Sequence, residues 1–297
     1  MFTPKGGTMT TRVLRSVHSG DGFHWVGDGF YVTQLLPGSP SLQELADPFL
    51  LMDYHPVKEY SPTQRARGVG PHPHRGFETV TLAFEGAIAH HDSTGAGGVI
   101  YPGDCQWMTA AGGILHKEYH EAEWAKRGGR FHMMQLWVNL PGRHKMDEPG
   151  YQALTAESMG KVKLPGGGTV TLIAGELDGE RGPAHTFTPI EVWDIQLAAD
   201  ETADLTVTDG HTVMVFVIDG SLTTESGTVG HEQLGIFDRE GDTVRLTAPE
   251  TGARAILLGG QPIGENVIFY GPFAMNTEAE IIQAVRDFNA GLFGTLA

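Results

Sequence analysis

The stretch HPHRGFETVTLAFEG, residues 72–86, carries two messages in one run. Its second half sets β-branched and apolar residues through 79–84 and stops at Gly86, which reads as a strand closed by a turn. Its first half is His-x-His. In a strand, residues two apart point to the same face, so His72 and His74 can present two imidazoles to one point. Pro73 between them predicts an edge strand or a bulge, because it cannot donate to a ladder.

Outward from this stretch the rhythm persists. The 41 Gly and 17 Pro recur between short apolar runs at roughly ten-residue intervals, which predicts an all-β sandwich or barrel rather than βαβ units. Strands are expected at 79–84, 87–91, 133–140, 169–173, 191–197, 212–218, 221–223, 243–246 and 254–258. Two helices are expected. One is short, around 120–126. The other is 277–289, where Thr277 and Glu280 have capping-box spacing, Ile281, Ile282, Val285 and Phe288 form an apolar stripe, and Gly291 supplies a stop.

An internal echo divides the chain. FEGAIA at 84–89 resembles IDGSLT at 218–223: strand, acid, Gly turn, strand. Two β-barrel domains follow from it, joined through 141–168 with its MDEPGYQ and KLPGGG runs. The expected division is a disordered 1–12, an N-terminal metal-binding domain at 13–145, a linker at 146–168, and a C-terminal domain with the terminal helix at 169–297.

Composition excludes whole classes of function. The 297 residues hold 20 Lys+Arg against 36 Asp+Glu, a net charge of −16, so neither nucleic acid nor an anionic membrane is an expected partner. One cysteine, Cys105, cannot form an intramolecular disulfide, and no signal-peptide core or long apolar run is present. A cytoplasmic location is expected. The G-x-S-x-G, Walker A and dinucleotide-binding motifs are absent. Cys105 has no neighbour that would activate it and reads as a small barrel residue.

The histidines carry the chemistry. His116 and Glu118 have the same two-residue spacing as His72 and His74 and lie on a second segment, so they can add a third imidazole and a carboxylate around one ion. Imidazole and carboxylate suit Fe, Mn, Co, Ni, Cu or Zn, and four ligands leave positions open on an ion that prefers six. Glu78 is a competing carboxylate at the parity of His72 and His74. His90 and His91 point to opposite faces and read as surface residues. His120 shares parity with His116 but is expected past the strand end.

These segments resemble a known family. HPHRGFETVTLAFEG at 72–86, PGDCQWMTAAGGILHKE at 102–118 and QLWVNLP at 135–141 are similar to the N-terminal cupin domain of pirins, and DPFLLMD at 47–53 with GPFAMNTEAEI at 271–281 extends the similarity from about Val13 to Gly294. The resemblance implies a bicupin, two antiparallel jelly-roll barrels, with one ion in the first, usually Fe(2+), held by His72, His74, His116 and Glu118. Glu78 then falls outside the ligand set. Counting back from Gly220 as from Gly86 places Thr206 and Thr208 where His72 and His74 stand, so the second barrel is expected to be metal-free. Some pirins oxidise flavonols such as quercetin with O₂, which implies a small aromatic substrate whose 3-hydroxyl gives its proton to Glu118. Others act as iron-dependent redox-sensing regulators through protein partners, without turnover, and that is the alternative expectation. A monomer is expected.

Overall fold

The computed structural model of the chain describes residues 9–296. Phe77–Glu85 forms a strand buried on both faces, flanked by antiparallel partners Gly129–Asn139 and Cys105–Thr109. Its β-branched and aromatic content suits a central position packed on two sides. In the N-terminal unit, seven antiparallel strands run in the order Gly150–Leu154, Cys105–Thr109, Phe77–Glu85, Gly129–Asn139, Phe49–Tyr60, Phe30–Leu36 and Phe23–Val26. A second sheet orders Gly68–His74, Ile114–His120, Ile88–Asp92 and Gly97–Ile100. Buried Phe30, Val32, Tyr60, Ala83, Ile88, Trp124, Phe131 and Met133 join residues of both sheets in one core.

The C-terminal unit repeats the plan. Its seven strands run Leu14–Ser19, Gln233–Phe237, Thr212–Asp219, Ala253–Gly260, Ile190–Leu197, Thr169–Ala174 and Gly160–Lys163. A four-stranded sheet of Thr202–Thr206, Thr243–Thr247, Leu222–Thr224 and Gly227–Val229 completes it around a core that includes Trp193, Val215 and Leu257. The echo at 84–89 and 218–223 has a structural basis. Gly86 (φ 90°) and Gly220 (φ 74°) both turn the chain with a positive φ that side chains disfavour. The all-β bicupin architecture with a C-terminal helix is therefore present.

The units are not contiguous in sequence, which differs from the expected division. The N-terminal unit comprises Gly20–Met159, Pro183–Thr188 and the segment from Ile263 onward, and the remainder forms the C-terminal unit. Leu14–Ser19 pairs with Gln233–Phe237 and so completes the C-terminal barrel's sheet. Edge strands present unpaired N–H and C=O groups, and a partner from elsewhere in the chain satisfies them. Of the expected disordered 1–12, residues 1–8 lie outside the described residues, while the rest is ordered: Thr11 bridges to Thr243, and the buried Arg12 guanidinium donates to the carbonyls of Gly241, His211 and Thr208.

The expected linker also contains structure. Gly150–Leu154 pairs with Cys105–Thr109, and Gly160–Lys163 with Thr169–Ala174, so each of these strands closes a sheet edge of its own unit.

The helix Glu278–Asn289 starts at the predicted capping box of Thr277 and Glu280. It packs in the N-terminal unit, through Ile281, Ala284 and Val285, with Phe273, Met275 and Phe293. Ile282 is 51% exposed, so the apolar stripe is rotated from the expected one, with Ala284 on the buried side. The short helix Ala122–Arg127 is capped by Glu121, whose carboxylate accepts from the N–H groups of Glu123 and Trp124. No helix among the described residues is long and apolar enough to cross a membrane.

Candidate metal centre

Gly68–His74 lies at the edge of the four-stranded sheet, where Pro71 and Pro73 cost no ladder bond to a missing neighbour. Its antiparallel partner Ile114–His120 sets His116 opposite His72 and Ile114 opposite His74, with a register shift before Glu118, which faces Val69. The edge and the irregularity are both what Pro73 predicts. Ile114–His120 buries alternate residues, and this brings His116, Glu118 and His120 to the inner face.

The three predicted imidazoles meet. Ring centroids are 4.8 Å apart for His72 and His74, 4.2 Å for His72 and His116, and 4.8 Å for His74 and His116. One nitrogen from each lies within 4.8 Å of the others. Glu118 Oε2 is 3.9 Å from His116 Nε2. His72 Nδ1 is 2.9 Å from the Gly70 carbonyl; because a carbonyl only accepts, Nδ1 is the donor, and the neutral tautomer this selects carries its lone pair on Nε2.

Burial, reinforced by the neighbouring imidazoles, holds His74 and His116 well below the usual histidine range, so both are neutral at pH 7. Neutral imidazole is the form that binds a metal. His74 Nδ1 and both ring nitrogens of His116 are buried without a hydrogen-bond partner, and an orphaned buried polar atom is costly. A cation satisfies lone pairs that the protein leaves empty, so the histidine cluster fits a metal site. Burial raises the Glu118 carboxyl, while His72, Gln135 and Thr81 pull it back toward ionisation. Gln135 Nε2 lies 3.2 Å and 3.4 Å from its two oxygens, and the Thr81 hydroxyl donates at 3.3 Å.

The other candidates fall elsewhere. Glu78 accepts from the Thr109 hydroxyl at 2.7 Å and faces away from Thr81 on its strand, because the turn at Gly76 (φ 91°) breaks the parity counted from His74. His90 is buried, against the surface expectation, and bonds Tyr151 OH at 2.7 Å; His91 is exposed as expected. His120 ends the strand rather than lying beyond it, and its Nε2 donates to the Gly29 carbonyl at 2.9 Å. Cys105 is fully buried and its thiol is pushed up by burial, which leaves it inert.

Sequence reading missed the cavity beside the cluster and the residues that hold Glu118. A space of about 290 Å³ is lined by His72, His74, Glu118, Gln135 and Asp53 together with apolar Val26, Phe30, Val32, Leu51, Val69, Met133 and Trp137. Asp53 and Gln135 are in-register neighbours, and each interrupts a local apolar run, residues 49–52 for Asp53 and 133–138 for Gln135. That interruption of the apolar pattern was the available signal.

Two antiparallel barrels, with imidazoles gathered in one of them, define a two-domain cupin. The pirin family model matches residues 29–138, and the model of the pirin C-terminal cupin domain matches 192–294. The chain belongs to the pirin family. A Pseudomonas aeruginosa protein provisionally named a quercetin 2,3-dioxygenase is 46% identical over 271 residues, covering 91% of this chain and 94% of its own. A pirin-like protein of Caulobacter vibrioides is 41% identical over 269 residues, covering 90% and 94%. The solved quercetin 2,3-dioxygenase from Acinetobacter baumannii superposes with a TM-score of 0.93 at 43% identity, covering 97% of this chain and all (100%) of its own. A bacterial pirin from Escherichia coli, solved with nickel(II), shares the fold at 19% identity with a TM-score of 0.63, over 83% of this chain and 99% of its own.

Proposed function

We propose that this chain is a metal-dependent flavonol 2,3-dioxygenase, taking a quercetin-like flavonol and O₂ to the ring-opened ester and carbon monoxide, with His72, His74, His116 and Glu118 as the metal ligands. The pirin family puts Fe(2+) first among candidates, while the donors themselves also suit Mn, Co, Ni, Cu or Zn. One observation carries the reading: His72 and His74 of the imidazole cluster, with Glu118, line a cavity that is otherwise mostly apolar. Its volume, about 290 Å³, sits near the lower end of small-molecule pockets, which suits a compact planar aromatic. The names of the P. aeruginosa and A. baumannii relatives support the substrate class. A regulator without turnover needs no such cavity, so the open space favours catalysis.

The bound metal would supply the Lewis-acid and one-electron chemistry that lets O₂ react with a closed-shell substrate. The protein's own residues do the rest. Glu118 accepts the proton of the 3-hydroxyl, because the residue lines the cavity and burial raises its carboxyl. Gln135 and Thr81 orient that carboxylate in both states. Phe77 and Trp137 pack against His74, with centroids at 5.1 Å and 5.2 Å, and fix its ring. The apolar walls exclude water and so keep the ionised substrate from being reprotonated.

The test is O₂ uptake by metal-loaded protein given a flavonol. Stoichiometric O₂ consumption with release of carbon monoxide supports the reading, and a protein that keeps its metal yet consumes no O₂ overturns it.

A further inference from the structure

One buried carboxylate of this cavity has no part in the chemistry above. Across the seven-stranded sheet of the N-terminal unit, Gln34 stands opposite Asp53, Asp53 opposite Gln135, and Gln135 opposite Thr81. Neighbouring strands lie about 4.8 Å apart, so Asp53 sits one strand from the amide that holds Glu118. Its side chain lines the cavity and is 8% exposed. Gln34 Nε2 donates to Oδ1 at 3.2 Å, and among the described residues no Lys or Arg pairs with it. A carboxylate has about four acceptor positions, and Gln34 takes one of them.

Burial pushes the Asp53 carboxyl up to about 6, with Gln34 and His24 pulling it back. Gln34 occupies one of its oxygens, and the residue lines the cavity, where a ligand can reach the carboxylate. Neighbouring apolar residues offer no donor. A ligand hydroxyl does.

We propose that Asp53, steadied by Gln34, is the hydroxyl anchor of the cavity, accepting a hydrogen bond from a phenolic hydroxyl of the substrate other than its 3-hydroxyl and thereby selecting polyhydroxylated flavonols. The inference rests on the flavonol reading and deepens it. Asp53 is a specificity residue here; it transfers no proton in the reaction.

Binding tests it independently of turnover. Quercetin and 3-hydroxyflavone, which lacks the additional ring hydroxyls, are titrated against metal-loaded wild type, Asp53→Asn, Asp53→Leu and Gln34→Leu, following quenching of Trp137 and its neighbours. Metal content, KM and kcat are measured on the same samples. The wild type is expected to prefer quercetin, and Asp53→Leu to erase most of that preference, weakening quercetin by about 10- to 100-fold more than 3-hydroxyflavone, the size of a lost hydrogen bond to a charged group. Gln34→Leu should erase part of it and keeps the test open if Asp53→Leu does not fold. The effect should appear in KM more than in kcat. A preference that survives every variant, or equal weakening of both ligands, overturns the anchor. Asp53-dependent discrimination without O₂ uptake keeps the anchor and removes the dioxygenase reading; uptake without discrimination removes the anchor alone; a wild type that binds neither ligand removes both.

Discussion

His116 and Glu118 share a strand face and do different work. His116 is held neutral by burial and both its ring nitrogens lack a hydrogen-bond partner, so removing it takes away a lone pair that nothing nearby replaces. His116→Ala is expected to reduce metal content from about one ion per chain to near zero, measured by elemental analysis, with the fold kept. Glu118→Gln preserves the bonds to Gln135 in shape but cannot take a proton; kcat is expected to fall about 10²- to 10⁴-fold, a general-base effect, and single-turnover kinetics separate that loss from weaker metal binding. Asp53 gives a pH signature. Its carboxyl is raised in the folded chain, so the folded state holds that proton to higher pH than the unfolded state does, and stability falls as pH climbs from the ordinary carboxylate range to about 6, then levels. The difference is on the order of 3 kcal/mol at most. Asp53→Asn should therefore melt at a higher temperature than wild type at pH 8 and lose that advantage by pH 4, as thermal unfolding will read. His72, His74, His116 and Glu118 were legible because period two is a local property of a strand. Asp53 was not, since its importance comes from the register of Phe49–Tyr60 against two other strands, and pairing partners are not written in a strand's own residues.

At the scale of elements, the turn after the His-x-His strand fixes where that strand ends. Gly76 has φ 91°, and a Cβ there would lie 2.0 Å from the Ala274 carbonyl oxygen. Lys145, 1% exposed, donates from Nζ to the carbonyls of Gly76 and Ala274 and to Asn139 Oδ1, at 2.6 Å, 2.9 Å and 2.6 Å. Replacing it by Met leaves three buried acceptors unpaired, and denaturant unfolding should show a loss of about 3 kcal/mol. Neither feature stood out in the sequence. A glycine among 41 and a lysine in an expected linker boundary look ordinary until the close approach of the 273–275 strand is known. The turn at Gly76 also explains why Glu78 looked like a ligand: parity counts only within an unbroken strand.

The whole molecule exchanges its ends between two units. Gly271 and Pro272 line the cavity, Arg75 N–H donates to the Pro272 carbonyl, and Arg75 pairs with Asp287 of the terminal helix, so the last 35 residues (263–297) support the first barrel's site. A chain ending at 262 retains all four proposed ligands, yet it is expected to bind metal poorly and to expose the apolar residues that the missing segment covers, Leu50, Phe77 and Leu115 among them. Metal content and dye binding check this. Barrel class and repeat were legible because turn chemistry and alternation recur along the chain; the exchange was not, because an edge strand such as Leu14–Ser19 carries no local mark of which distant edge it completes. The −16 charge still argues against nucleic acid as a direct partner. The decisive measurement is oxygen consumption by the purified, metal-loaded chain with quercetin, together with detection of carbon monoxide. One O₂ taken up and one carbon monoxide released per flavonol is the expected result; full metal occupancy with neither gas changing contradicts it.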